Sequence, residues 1–156
     1  MNTWIIYDSR YGNTEKIVQA MTLALKNYGT VRAISAGEAD MFSLVNDRNV
    51  DLLIIGCPTQ QHKVSTRMES LLDTLPSGSL KGLPTATFDT RYHAPRWLSG
   101  SAAHKLADVL DEKGAHIVVQ PQSFFVAQEE GPLQKGELDH AAAWAQSILE
   151  QLATPE

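Results

Sequence analysis

Residues 3–21 read TWIIYDSRYGNTEKIVQAM, and this stretch decides the fold. Its first five residues are aromatic or β-branched, as in a buried strand. From Thr14 onward the apolar residues Ile17, Val18 and Met21 recur at the spacing of an amphipathic helix. A short polar turn with one glycine separates the two patterns. The stretch therefore predicts a strand, a turn and a helix in direct succession.

The rest of the chain continues this alternation. Strands are predicted at 3–7, 30–34, 50–59, 83–90 and 115–126, and helices at 14–27, 40–45, 65–75, 101–110 (opened by Ser99 or Ser101) and 136–152. The run VDLLIIGCPT at 50–59 is the most apolar and predicts a central strand buried on both faces. Since proline cannot donate to a sheet ladder, the last strand is expected to break near Pro121. We predict a single α/β domain, residues 1–156, with a five-stranded parallel sheet between two helical layers.

Composition limits the classes of function. The chain has 156 residues and a net charge of −5, with 43% hydrophobic and 20% charged residues, as in a soluble globular domain. The negative charge argues against a nucleic-acid partner, because phosphate binding needs a basic face. No apolar stretch approaches the roughly 20 residues that span a bilayer, and no secretory signal pattern is seen. Cys57 is the single cysteine, which excludes an internal disulfide, and we expect a cytoplasmic protein without a membrane partner.

The predicted sheet places three polar loops at one edge. Ligands of such folds bind beyond the carboxyl ends of the strands, where the strand order reverses. Residues 8–13, 57–65 and 89–99 each follow a predicted strand directly, and all three segments are polar. We therefore expect these loops to build the functional site.

The first of these loops predicts an anion site. A helix N-terminus presents unpartnered N–H groups and the positive end of a dipole, and Gly12 lets the backbone approach a ligand closely. The hydroxyls of Ser9 and Thr14 add hydrogen-bond donors. The amide of Asn13 and the charge of Arg10 suit the same phosphate group. The alternative is a plain helix cap, which needs one such residue rather than a run of them.

The common nucleotide motifs G-x-x-x-x-G-K-[ST] and G-x-G-x-x-G are both absent. Instead, YDSRYGNTEKI resembles the phosphate loop of the flavodoxin family, whose pattern is [ST]-x-T-G-x-T. Ser9, Gly12 and Thr14 fall on matching positions, and Tyr11 replaces the middle threonine. The resemblance extends over the whole chain and includes EEGPLQKGELDHAAAWA at 129–145. It implies a flavodoxin-like three-layer α/β/α sandwich with strand order 2-1-3-4-5, and FMN as the cofactor.

The resemblance also implies which loops hold the flavin ring. In the family these are the loops after the third and fourth strands, here CPTQQHKVS and DTRYHAPRWLS. The first lacks the tryptophan of many flavodoxins but offers His62, and in the second Tyr92 best matches the family's stacking tyrosine. For Trp97 two roles are equally compatible with the sequence: contact with the flavin, or coverage of the edge of the sheet. No catalytic residue or metal ligand is expected, and the predicted cofactor-binding residues are Ser9, Arg10, Tyr11, Gly12, Asn13, Thr14, Pro58, Thr59, Gln60, His62, Asp89, Thr90, Arg91, Tyr92, His93 and Trp97.

Charge separates this chain from the family's usual pattern, in which carboxylates surround the flavin of electron-transfer members. The loop after the fourth strand instead carries Arg91, His93 and Arg96, and Lys63 and Arg67 lie near the other loop. Positive groups stabilise a developing anion, so we predict a reduced flavin that is easier to reach than in an acidic flavodoxin. The alternative is a set of solvated cations without influence on the site.

The leading functional prediction is an FMN-binding redox protein that carries electrons between partner proteins, a reductase and an acceptor. One alternative is an FMN-dependent oxidoreductase acting on a quinone or NAD(P)H, with the loop cations steering the substrate. Another is a flavodoxin-like interaction domain that no longer binds flavin, because a fold does not determine a function. The sequence shows no convincing set of catalytic acid, base and nucleophile, which favours electron carriage.

Overall fold

The computed structural model describes residues 1–47, 49–95, 97 and 100–154. Within them the strands are β1 (Asn2–Tyr7), β2 (Thr30–Ser35), β3 (Leu52–Pro58), β4 (Pro84–Tyr92), β5 (His116–Ile117) and β6 (Gln122–Val126). The helices with described bounds are α1 (Asn13–Leu25), α2 (Met41–Asn46), α3 (Thr66–Asp73), α4 (Ala102–Glu112) and α5 (Glu137–Ala153), and a 3₁₀ turn (Lys26–Tyr28) follows α1. Of the helices in these residues, none is long and apolar enough to cross a membrane.

The sheet is parallel, with strand order β2-β1-β3-β4-β5, and β6 also pairs with β4. This confirms the predicted order 2-1-3-4-5. The sheet has a sixth strand, because the predicted fifth segment, which was expected to break near Pro121, forms two strands on the same side of β4. The edge segment takes five residue steps, from Ile117 to Gln122, where β4 takes three, from Thr85 to Phe88. The two extra residues interrupt the pairing with β4 at the break that was predicted near Pro121.

Two apolar cores cover the two faces of the sheet and make the three-layer sandwich. On one face Ile6 and Leu53 pack with residues of α2, α3 and α4. On the other, Ile5 and Ile54 pack with residues of α1 and α5. Neighbouring residues of β1 and β3 thus enter opposite cores, as the two-residue period of a strand requires. All residues from Leu52 to Cys57 are buried, which confirms β3 as the central strand.

Gly56 of β3 is small for a packing reason. A Cβ at this position would overlap the ring of Phe88, its partner in the register of β3 and β4. The Phe88 ring packs edge-to-face on Phe124 and Trp144, with centroid distances of 5.9 and 6.0 Å. The missing side chain therefore lets an aromatic cluster close the face covered by α1 and α5.

Candidate functional site

The loops after β1, β3, β4 and β6 surround a cavity of about 590 Å³. It lies at the carboxyl edge of the sheet, which is where open α/β folds bind ligands, and its size is that of a small-molecule site. Most of the predicted binding residues line it, namely Arg10, Tyr11, Asn13, Thr14, Pro58, Thr59, Gln60, His62, Thr90, Arg91 and Tyr92. The structure thus brings together three loops that are distant in the sequence.

One wall of the cavity was missed by the sequence analysis. The loop after β6 contributes Val126 and Glu129 to the lining. Because β6 is parallel to β4, its carboxyl end lies at the same edge, and the rule that selected the other loops applies to it equally. Further lining residues come from the loop after β3 and from α3, namely Gln61, Lys63, Val64, Thr66 and Glu69.

The turn between β1 and α1 depends on the backbone of Gly12. Its φ is +91°, in the left-handed region that favours glycine, and a Cβ there would meet no atom within 4 Å of the described structure. Ser9 Oγ accepts hydrogen bonds from the N–H groups of Gly12 (3.1 Å) and Glu15 (3.4 Å). The helical ladder begins where the Lys16 N–H donates to the Gly12 carbonyl at 3.1 Å. The first N–H groups of α1 precede this ladder and lie at the cavity.

Arg10 and Tyr11 form the exposed rim of this turn. Tyr11, the residue that replaces the middle threonine of the flavodoxin pattern, is 41% exposed. The Arg10 guanidinium lies 5.1 Å from the centroid of the Tyr11 ring, a cation–π distance. Tyr11 in place of threonine therefore adds a large side chain at the mouth of the cavity. The backbone N–H of this position is still present in the turn.

Asn13 and Thr14 connect the turn to neighbouring elements. Asn13 Nδ2 donates to the Glu130 carbonyl at 3.2 Å, in the loop after β6. The Oγ1 atoms of Thr14 and Thr90 are 2.9 Å apart in a buried contact in which either hydroxyl can donate. The Asn13 amide, predicted to face a phosphate, is thus engaged with a loop, and the Thr14 hydroxyl is shared with β4.

The loop after β3 reverses direction between Gln60 and Lys63. Each of these residues donates its N–H to the carbonyl of the other, at 3.0 and 2.8 Å. The two central residues, Gln61 and His62, have φ values of 48° and 68°, a conformation that glycine and asparagine usually occupy. A Cβ at Gly100 would lie 2.7 Å from His62 Cα, so this segment packs directly on the turn. Neighbouring structure therefore holds the turn in a conformation that its own residues disfavour.

Asp89 lies beneath the cavity and does not line it. The residue is fully buried, and its Oδ2 accepts hydrogen bonds from Thr59 Oγ1 (3.1 Å), Ser101 Oγ (2.8 Å) and the Ala103 N–H (3.1 Å). Thr59 Oγ1 also accepts the Ala102 N–H at 2.9 Å. The first N–H groups of α4 are therefore capped by side chains of the two preceding strand ends.

Arg91 and His93 pack against β6. Arg91 Nε donates to Ser123 Oγ at 2.9 Å, its guanidinium lies 5.2 Å from the Phe125 ring centroid, and its side chain is 10% exposed. His93 stacks on the same ring at a centroid distance of 4.4 Å and does not line the cavity. Arg91 thus lines the cavity while its guanidinium is held by β6, and His93 is held by β6 away from the cavity.

The other charged groups around the cavity are mixed in sign. Lys63 lines it, together with Glu69 and Glu129. Arg67 forms an ion pair of 3.5 Å with an aspartate of the first loop. Arg96 lies outside the described residues. The described part of the site is therefore not surrounded by carboxylates alone, in keeping with the charge pattern of the sequence.

Two aromatic residues of the loop after β4 differ in placement. Tyr92 is 47% exposed, lines the cavity, and its hydroxyl oxygen accepts the Glu129 N–H. This bond joins the end of β4 to the loop after β6. Trp97 is 83% exposed and is not among the residues that line the cavity.

Cys57 is buried between β4 and the end of β1. It is inaccessible to solvent, and burial raises the pKa of its thiol to about 12. The thiol is protonated at neutral pH and behaves as a small apolar group.

The model of the Flavodoxin family matches residues 5–148. The chain belongs to the flavodoxin family. Flavodoxin 1 from Bacillus cereus has a similar structure, with 17% identity, a TM-score of 0.79, and coverage of 96% of this chain and 98% of that one. Flavodoxin 2 from the same organism is 22% identical with a TM-score of 0.78, covering 97% and 99% of the two chains. A flavodoxin from the domain Archaea is 18% identical with a TM-score of 0.74, covering 99% and 100%. Among curated proteins, no sequence matches.

The donor set of this chain suits an organic phosphate. The N-terminus of α1 opens at the cavity, the Ser9 hydroxyl lies beside it, and Arg10 adds a positive charge to the lining. Gly12 has a positive φ, which favours glycine, and because glycine has no side chain this end of the turn is left open. The residues present therefore fit the charged end of a nucleotide-like cofactor.

Proposed function

We propose that this protein binds FMN in the 590 Å³ cavity and carries electrons one at a time between a reductase and an acceptor protein. The observation that carries the proposal is the turn at 9–14: Gly12 has a φ of +91°, the Ser9 hydroxyl accepts the Gly12 N–H, and the first residues of α1, Asn13 and Thr14, line the cavity. FMN, when bound, supplies the redox chemistry, and the residues of the chain bind and orient it.

Different residues would hold the two ends of the cofactor. The N–H groups of Asn13 and Thr14, with the Ser9 hydroxyl, are the expected partners of the phosphate. The turn from Gln60 to Lys63 and the exposed face of Tyr92 are the expected partners of the ring. Because the Tyr92 hydroxyl is bonded to the loop after β6, the orientation of its ring is restricted.

Cofactor binding is tested by the visible absorption spectrum of the purified protein and by titration with FMN while its fluorescence is recorded. Paired flavin bands, or quenching that saturates at one FMN per chain, are the expected results. A colourless protein that leaves FMN fluorescence unchanged would contradict the proposal and favour a flavodoxin-like interaction domain.

Electron carriage is separated from small-molecule turnover by anaerobic reduction in small steps. Two resolved one-electron steps are expected for a carrier. Rapid oxidation of NADH or NADPH, or reduction of a quinone, by the protein alone would instead identify an oxidoreductase. Free FMN at the same concentration is the control for turnover that does not need the protein.

A further inference from the structure

We propose that Asp89 is a positioning residue for the cofactor: its buried carboxylate fixes Thr59, and through Thr59 it fixes the cavity wall formed by the loop after β3. The inference rests on the proposed binding of FMN. In this inference Asp89 acts on the cofactor through Thr59, whereas the sequence predicts that Asp89 contacts the cofactor directly.

Asp89 joins three elements at a single oxygen. Its Oδ2 accepts from Thr59 in the loop after β3, from Ser101 at the N-cap of α4 and from the N–H of Ala103. The side chain has no exposed surface, and a buried carboxylate is costly unless hydrogen bonds stabilise it. Its Oδ1 has no hydrogen-bond partner among the described residues and lies 3.9 Å from Arg91 Nε. The hydrogen bonds that hold the carboxylate are thus all made by Oδ2, to Thr59 and to the start of α4.

The start of α4 depends on the same anchor. Ser101 is its N-cap residue, but its hydroxyl bonds to no backbone N–H of the helix: it donates to Asp89 and lies 2.9 Å from His104 Nδ1. The N–H groups of Ala102 and Ala103 bond instead to Thr59 Oγ1 and Asp89 Oδ2. The helix and the loop after β3 therefore hold each other in place across one carboxylate.

Thr59 transmits this anchoring to the cavity. It lines the cavity, whereas Asp89 does not. Its N–H donates to the Thr90 carbonyl at 3.0 Å, while its hydroxyl donates to Asp89 and accepts from Ala102. Both the backbone and the side chain of Thr59 are thus restrained, immediately before the turn that begins at Gln60.

The test is a double-mutant cycle on FMN affinity with Asp89→Asn, Thr59→Val and the two combined. Each single variant is expected to weaken FMN binding by about tenfold, which corresponds to one good hydrogen bond (about 1.4 kcal/mol). The double variant is expected to bind no worse than the weaker-binding single variant, because both changes act on the same link: Asn keeps one acceptor oxygen but loses the charge, and Val removes the donor. Independent, multiplicative effects would overturn the inference, and a residue that only supports the fold would not produce this coupling.

Thr87→Val is the matched control. Thr87 is also fully buried, lies two residues earlier on the same face of β4, and donates to the Ala103 carbonyl at 2.8 Å. Its valine variant is expected to lower the melting temperature and to leave the FMN dissociation constant within about twofold. If this variant weakened binding as much as Asp89→Asn, general loosening of α4 would explain both effects and the inference would be wrong.

Two further measurements keep the test decisive. If Asp89→Asn does not fold, Ser101→Ala removes one donor and keeps the carboxylate, and it is expected to weaken FMN binding by about threefold. In the protein without FMN, amide hydrogen exchange at Ala102 and Ala103 is expected to accelerate in Asp89→Asn.

Wild-type protein that does not bind FMN would refute the proposed function itself. Wild-type binding with unchanged affinity in Asp89→Asn and Ser101→Ala would refute this inference alone.

Discussion

At Gly12 the conformation of one residue determines whether the turn at the cavity can form. The backbone has a φ of +91°, and the space beyond its Cα is open in the described structure. A side chain is therefore disfavoured by backbone conformation and not by crowding. This separates the position from Gly56, where the neighbouring Phe88 ring leaves no room.

Gly12→Ala is expected to lower the free energy of unfolding by about 1–2 kcal/mol, the cost of left-handed backbone for a residue with a Cβ. It is also expected to weaken FMN binding, because relaxation of the turn moves the first N–H groups of α1. Thermal unfolding and fluorescence titration measure the two effects. Gly78→Ala is the control, since Gly78 has a φ of +77°, has open space and lies between α3 and β4, outside the turn that precedes α1. Equal losses of FMN affinity in the two variants would contradict the assignment.

Cys57 predicts a dependence of stability on pH. Burial raises the pKa of the folded thiol to about 12 from the ordinary 9.0. The unfolded chain loses this proton near pH 9, so the stability contributed by the neutral buried thiol is complete below pH 9 and is lost between pH 9 and about 12. The loss is about 1.4 kcal/mol for each pH unit in that range. Urea unfolding at pH 8 and 10 should show a decrease in the wild type that exceeds the decrease in Cys57→Ala by about this amount, and equal decreases would refute it.

At the scale of the elements, β3 and β4 are matched to each other by size. Gly56→Ala is expected to destabilise the fold by about 1–3 kcal/mol, because the added methyl group overlaps the Phe88 ring. In a Phe88→Leu background the shorter side chain leaves room, so the same change is expected to cost much less. Urea unfolding of both single variants and the double variant gives the coupling. Additive costs would show that the overlap is relieved elsewhere.

The order and type of the elements could be predicted from local pattern, since the apolar run at 52–57 and the helical spacing after Thr14 are visible in short windows. The break near Pro121 could also be predicted locally, because proline has no N–H to donate to a sheet. The contacts that build the site could not be predicted in this way. Thr14 meets Thr90 and Asn13 meets Glu130 across 76 and 117 residues of sequence, and no local window contains both partners.

The positions of Asp89 and His93 relative to the cavity also could not be predicted from the sequence, because they depend on contacts with other elements. Both belong to a loop that the family resemblance assigns to the flavin. Strand alternation turns Asp89 to the face of β4 opposite Thr90, and His93 lies just beyond the end of β4. There the N-terminus of α4 engages Asp89, and the Phe125 ring engages His93. Tyr92, on the face of Thr90, does line the cavity.

At the scale of the whole molecule, cofactor binding is expected to appear as added stability. FMN at about 100 times its dissociation constant should stabilise the folded state by about 2.7 kcal/mol, or roughly 5–10 °C in melting temperature for a chain of this size. Riboflavin, which lacks the phosphate, is expected to give a much smaller shift at the same concentration. Differential scanning fluorimetry with a dye compatible with flavin measures both. Equal shifts would show that the turn at Gly12 does not contact the phosphate.

The ease of reduction stays a prediction of the sequence. Arg91 is held against β6, yet it lines the cavity together with Lys63, so positive charge is present at the site. Potentiometry of the FMN-bound protein tests the prediction. A reduction potential as negative as that of the acidic flavodoxins would show that these cations have no net influence.

The split between β5 and β6 also bears on how copies of this chain behave when they are crowded together. An open sheet edge offers a row of unpaired backbone groups on which a strand of another molecule can align. Here that row is interrupted after Ile117, and in the five-residue β6 the N–H and the carbonyl of Phe125 are already bonded to Glu137 Oε2 and to the Gln134 N–H. Pro121 in the gap cannot donate a hydrogen bond. An irregular outer edge of this kind gives an incoming strand no continuous template on this side of the sheet.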